Sequence, residues 1–168
     1  MSDDLWVPPT VLLAVDLVTL GSLITTKWTL TIDCARPAVL AAFWTVALGY
    51  VEASPPEGFG SWQEWLTHFG VPEDEWDDGA YLADPDGVRP SISFLKVPEP
   101  KIVKNRIHLD VHVGGGRHES WDARWPQVIE AITRLTTAGA TAIRQEPQDG
   151  TPDHMVMADP EGNEFCVL

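Results

Sequence analysis

The sequence predicts an α+β protein of two βαβββ modules. Three observations predict it. The motif ADPDG at Ala83–Gly87 returns as ADPEG at Ala158–Gly162, and a repeat with matching surroundings implies a duplicated unit. Upstream of the two copies, LTID (Leu30–Asp33) and IHLD (Ile107–Asp110) show the same apolar–polar alternation, the mark of a strand with one buried face. Each is followed by an apolar helical pattern that opens near a proline and stops at a glycine.

Taken in order, Leu30 and Ile32 point one way along the first strand, and Thr31 and Asp33 the other. Cys34 falls on the helix side and reads as core. The first helix covers Pro37–Leu48, with a stripe of Val39, Leu40, Phe43, Ala47 and Leu48, and Gly49 ends it. A strand follows at Tyr50–Ala53. An insertion, PPEGFGSWQEWLTHFGVPEDEWDDG, separates it from ADPDG; Ser61 caps a short helix over Trp62–Phe69, and Gly70 closes it. The acidic PEDEWDD within it lacks calcium-loop spacing and reads as a solvated turn. The last strand of the first half is Ser91–Lys96. KVPEPKIVKN, with two prolines, has the composition of a linker.

In the second half, Ile107 and Leu109 should meet helices, while His108, Asp110 and His112 share the opposite face. A helix follows over about Trp125–Ala138, with Val128, Ile129, Ile132 and Leu135 as its stripe. Strands are then expected at Thr141–Arg144 and Asn163–Leu168. Both ADP turns join strand pairs, because Asp, Pro and Gly suit tight turns. The resulting division is an N-terminal extension over 1–26, a first module over 27–104 with an aromatic insertion at about 55–79, and a second module over 105–168.

Composition narrows the function classes. The 168 residues carry 25 acids against 11 bases, a net charge of −14. That field repels phosphate backbones and argues against nucleic-acid binding. Two cysteines are too few for a disulfide framework. The acidic start MSDDLW is opposite to the basic opening of a secretory signal, so a cytoplasmic protein is expected. The apolar stretch Val11–Ile24 contains Asp16 and Gly21 and is too short to span a bilayer. It is expected to be an extra element packed on the domain or on a second copy, and no membrane partner is expected.

The segments LTIDCARP, FW and LGY in the first half resemble the vicinal-oxygen-chelate superfamily. So do ADPDG, VPEPKIVKNRIHLDV and ADPEGNEFCVL. That superfamily includes glyoxalase I, extradiol dioxygenases, fosfomycin-resistance proteins and bleomycin-binding proteins. The likeness covers about 27–168 and is greatest to small bacterial glyoxalase-like domain proteins. It implies that the two modules pair into a curved mixed sheet around a cleft, with helices on the outer face, and, in metal-binding members, His, Glu or Gln ligands on the first and last strands of each module. On this chain those places fall at Thr31 (or Thr29, if the register shifts), at Ser91 or Ser93, at His108, and at about Cys166, with Glu164 two residues before it on the same face. One imidazole, one thiol and two hydroxyls make a poor donor set for a divalent ion, so no metal and no other cofactor is expected. A divalent ion at His108 is the alternative. Residues two apart on a strand lie roughly 6.6 Å apart and residues four apart roughly 13 Å; His108 and Asp110 could share an ion, and His108 and His112 could not.

Eight tryptophans are many for this length. Trp62, Trp65 and Trp76, with Phe59, Phe69 and Tyr81, crowd the insertion. They form either an aromatic wall for a flat ligand or the insertion's own small core. His68, His118 and His154 read as surface or packing residues. A Cys166–His108 nucleophilic pair lacks an orienting third group. The expected function is a glyoxalase-like protein that binds a small organic ligand without the usual metal. Its candidate contacts are Thr31, Asp33, Trp62, Trp65, His108, Asp110, Glu164 and Cys166. A metal-dependent lyase, isomerase or dioxygenase is the alternative, and a structural or regulatory homodimer a third reading.

Overall fold

The computed structural model describes residues 27–148 and 150–168. The expectations for Val11–Ile24 and the rest of the extension lie outside the described residues. The first half runs β1 (Leu30–Cys34), α1 (Pro37–Leu48), β2 (Val51–Glu52), α2 (Trp62–His68), a short 3-10 helix (Glu73–Asp78), β3 (Gly79–Ala83) and β4 (Ile92–Lys96). The second half runs β5 (Asp110–Val111), α3 (Trp121–Thr137), β6 (Thr141–Gln148), β7 (Thr151–Ala158) and β8 (Glu164–Val167).

The two halves share one topology. Their sheets are ordered β1-β4-β3-β2 and β5-β8-β7-β6. In each, the first strand lies parallel to the last, and the remaining neighbours are antiparallel. The architecture is α+β, with one four-stranded mixed sheet per module. The ADP turns join equivalent strands, β3 to β4 and β7 to β8. Gly87 N–H donates to the Asp84 carbonyl at 3.0 Å, and Gly162 N–H to that of Asp159 at 2.9 Å. Both glycines have positive φ, 66° and 84°, which explains why each motif ends in glycine.

Alternation on β1 behaves as expected. Leu30, Ile32 and Cys34 face the helix side; Thr31 and Asp33 are exposed. On α1, Phe43 and Trp44 are fully buried, while Val39 is 40% exposed. The expected stripe therefore shifts to include Trp44, because α1 packs on two partners. One is its own sheet. The other is β8, whose Phe165 ring lies 5.7 Å from Phe43 and 5.3 Å from Trp44. A helix buried on more than one side shows no clean stripe. Burying a large side chain contributes roughly 1.5–3 kcal/mol, so this cluster joins the modules into one core.

Several boundaries move. The segment 107–109 is not strand, β5 begins at Asp110, and Ile107 is exposed instead of meeting a helix. Leu109 and Val111 do pack against the core. Helix α3 starts four residues before the expected Trp125, because Ser120 caps it by accepting from Ala123 N–H. Pro126 consequently sits inside the helix, where one ladder hydrogen bond is lost. Ile129 is half-exposed; Ala131 joins Val128 and Leu135 in the core, and Arg124 is buried in a pair with Asp153.

Candidate functional site

The eight candidate residues fall into separate places. Thr31 and Asp33 lie on the open face of the first sheet. Thr31 is level with Ser93, and Asp33 with Leu95. The second sheet repeats this pairing, with Asp110 level with Cys166. Counting back two residues makes Glu164, not Cys166, the neighbour of His108. Accordingly His108 Nε2 lies 3.9 Å from Glu164 Oε2. The module-one counterparts of that pair are Thr31 and Ser93.

Lys104, from the linker, pairs directly with the Glu164 carboxylate. Its hydrogen bond is the main reason the Glu164 carboxyl is held below the usual carboxylate range. Asn105 adds a second tether, its side-chain oxygen accepting from Glu164 N–H at 3.2 Å. Sequence reasoning missed both residues. The only signal was their place just before IHLD, and a linker's fold-back is not encoded in periodicity. Burial pushes the Cys166 thiol up, and the adjacent Asp110 carboxylate pushes it further. The group that results is an ionised Glu164, a protonated Cys166, an imidazole and a lysine: a hydrogen-bonding floor without a nucleophilic thiolate.

This donor set does not fit a divalent ion. His108 and Glu164 supply two ligands, and Lys104 already neutralises one of them. The module-one positions offer only neutral hydroxyls. Among the described residues, no cluster of three or more His, Cys, Asp or Glu is placed to hold a metal.

Trp62 and Trp65 belong to a different place. A cavity of about 690 Å³ opens beside β3, at the edge of the first sheet formed by short β2, between α1 and the insertion. Trp62, Trp65, Trp76 and Tyr81 line it. The residues that build it are locally ordered. Ser61 caps α2 by accepting from Glu64 N–H, and the Glu64 carboxylate accepts from Gly60 N–H, a reciprocal cap. Trp62 stacks on Tyr81 at 4.5 Å and is edge-on to Trp65 at 5.8 Å. A side chain at Gly79 would come within 2.8 Å of the Tyr81 hydroxyl, so glycine there lets the ring lie down. The small side chains of Ala38, Ala41 and Ala42 leave the opposite wall open. PEDEWDD, expected as a turn, is the 3-10 helix that brings Trp76 into this lining.

None of Thr31, Asp33, His108, Asp110, Glu164 or Cys166 lines the aromatic cavity. A ligand held by those polar groups and stacked on Trp62 or Trp65 at once is not what the geometry offers. Asp33 instead borders a second cavity of about 500 Å³ at the module junction, beside Glu161 and Lys101. Three of the other histidines have local partners. His68 packs edge-on against Phe59 and Phe69, His118 lies 3.6 Å from Glu119, and His154 Nδ1 lies 2.9 Å from buried Asp153. Cys34 is buried, and burial is the main cause of its thiol being pushed up to about 11.

Duplicated βαβββ modules with mixed four-stranded sheets define the class of the glyoxalase, bleomycin-resistance and dioxygenase folds. The glyoxalase-like domain model matches residues 29–168, and the chain belongs to that family. No curated protein matches the sequence. Among solved structures, it resembles a glyoxalase/bleomycin resistance protein/dioxygenase family enzyme from Burkholderia phytofirmans. That match has 16% identity and a TM-score of 0.52, covering 83% of this chain and 94% of the other. It also resembles the fosfomycin resistance protein FosX from Listeria monocytogenes, solved with Mn(II) and a dihydroxypropylphosphonic acid. There the identity is 12% and the TM-score 0.54, covering 86% and 90% of the two chains. FosX from Mesorhizobium loti matches at 10% identity and a TM-score of 0.52, covering 86% and 92%. These likenesses concern the fold. Among the described residues, no helix is long and apolar enough to cross a membrane.

Proposed function

We propose that this chain is a small-molecule-binding member of the glyoxalase-like family that works without the divalent ion some relatives use. The observation that carries the reading is the cavity of about 690 Å³ walled by four aromatic rings. Its volume lies within the range of drug-sized ligand sites, and such sites are mostly apolar with a few polar groups. The weak donor set around His108 supports the metal-free part. The floor of His108, Asp110, Glu164 and Cys166 is a polar face that Lys104 neutralises in part.

A thermal-shift screen of tag-free protein against small organic compounds tests it, because a ligand that binds only the native state raises stability with concentration over affinity. The expected hit raises the melting temperature, loses that effect in Trp65→Ala, and keeps it in the presence of a chelator. A stoichiometric Mn, Zn or Ni ion that His108→Ala removes, and that a turnover requires, would overturn the metal-free reading. It would make the chain a metal-dependent lyase, isomerase or dioxygenase.

A further inference from the structure

We infer that the ligand of the aromatic cavity is an organic cation, a flat aromatic or alkyl group carrying a fixed positive charge. The inference rests on the cavity being a ligand site and names what the site selects. Its charged lining residues are Glu52, Glu75, Asp77 and Asp78, all of them acids. The nearby base, Lys96, sits outside the lining and is held by Asp78 at 2.5 Å. Among the described residues, Glu52, Glu75 and Asp77 have no salt-bridge partner that would cancel them locally.

The rings complete the argument. Trp62 and Trp76 spend their indole N–H groups on the carbonyls of Ala53 and Val71, at 2.9 and 3.1 Å. Those two rings therefore have no hydrogen-bond donor left for an entering molecule; Trp76 and the face of Trp62 not stacked on Tyr81 leave it π surface instead. Indole faces attract cations, most strongly where water is excluded. An anion would find no lining cation and a rim of carboxylates. The net charge of −14 raises the local concentration of cations and repels anions over a longer range. No cluster of His, Cys, Asp and Glu among the described residues suits a metal ion, so the carboxylates act as a rim field around an organic group.

Three probes with one ring system separate the possibilities: (1-naphthylmethyl)trimethylammonium, 1-naphthalenemethanol and 1-naphthylacetate, each titrated calorimetrically into the full chain. The cation should bind about tenfold or more tightly than the alcohol, the scale of one good cation–π contact. The carboxylate should bind most weakly. Added salt should narrow the gap between cation and alcohol, as should the double variant Glu75→Gln/Asp77→Asn. Ala42→Phe, which fills the cavity, should abolish cation binding. If the alcohol matches the cation or the carboxylate exceeds it, the cation inference fails while the ligand-site reading stands. If none of the three binds, or if Ala42→Phe leaves cation binding intact, the assignment of this cavity as the ligand site fails.

Discussion

The two ADP turns differ in sequence only at Asp86 and Glu161 and share one place in the fold, yet their aspartates are wired differently. Asp84 works inside its own module. It accepts from Val88 N–H and Arg89 N–H, and twice from the Arg89 guanidinium. Arg89 then reaches the Leu48 carbonyl and lies over the Tyr50 ring at 4.7 Å. Asp159 also ties its own turn, accepting from Glu161 N–H, Asn163 N–H and the Asn163 amide. In addition it takes the Trp44 indole N–H from the other module at 3.4 Å. Two residues on, the Glu161 carboxylate accepts from Ala35 N–H and Arg36 N–H at 2.8 and 2.7 Å. There it stands at the positive end of α1, whose N-cap, Arg36, makes no side-chain cap. A duplicated turn can thus keep its local job while one copy becomes part of the seam between modules.

The strongest way to break this comparison is Asp159→Ala. It strands the buried Trp44 indole N–H of one module and part-buried donors of its own turn in the other, and each unsatisfied buried group costs about 1–3 kcal/mol. A loss of about 3 kcal/mol or more is expected in urea unfolding, with a smaller loss for Asp84→Ala, whose partner Arg89 is half-exposed and can be hydrated. Equal losses would mean that the seam adds nothing to the second turn. Glu161→Gln sharpens the same point with a milder change. It removes the charge at the α1 N-terminus and one of the two acceptors, because an amide NH2 cannot accept from Ala35 or Arg36 N–H, and should cost about 1–2 kcal/mol, part of it lost in high salt.

The smallest expected effect is a pH dependence that belongs to the first turn. The Arg89 hydrogen bonds are the main cause of the Asp84 carboxyl being lowered to about 2. A carboxylate depressed in the folded state favours folding above its unfolded value, near 3.9, and that contribution fades as pH falls toward the folded value. Stability should therefore decline from about pH 4 toward pH 2, and Arg89→Met should flatten that part of the profile. Asp153, held lower still mainly by Arg117, contributes to further loss at the acid end. An unchanged profile in Arg89→Met would remove Asp84 as the source.

Much of this molecule is legible from short-range pattern. Periodicity places α1 over Pro37–Leu48 with Gly49 after it, alternation sorts the faces of β1, and Ser61 announces α2. The ADP repeat reveals the duplication itself. Each of these is written in residues that act on near neighbours in the chain. The sequence by itself also set the net charge of −14. Tertiary structure alone decided three other things. Trp44 became core because Phe165, far along the chain, covers the helix face that its own sheet does not. Glu164 rather than Cys166 came to stand beside His108, because strand register is set by pairing across the sheet and a one-residue offset moves every side chain. And Trp62 and Trp65 were separated from the polar floor, because the insertion folds beside β3, where short β2 leaves room beside the alanines of α1. Sequence spacing carries the first kind of information, since one chain's local geometry enforces it. The second kind depends on which distant surfaces meet, and only packing settles that.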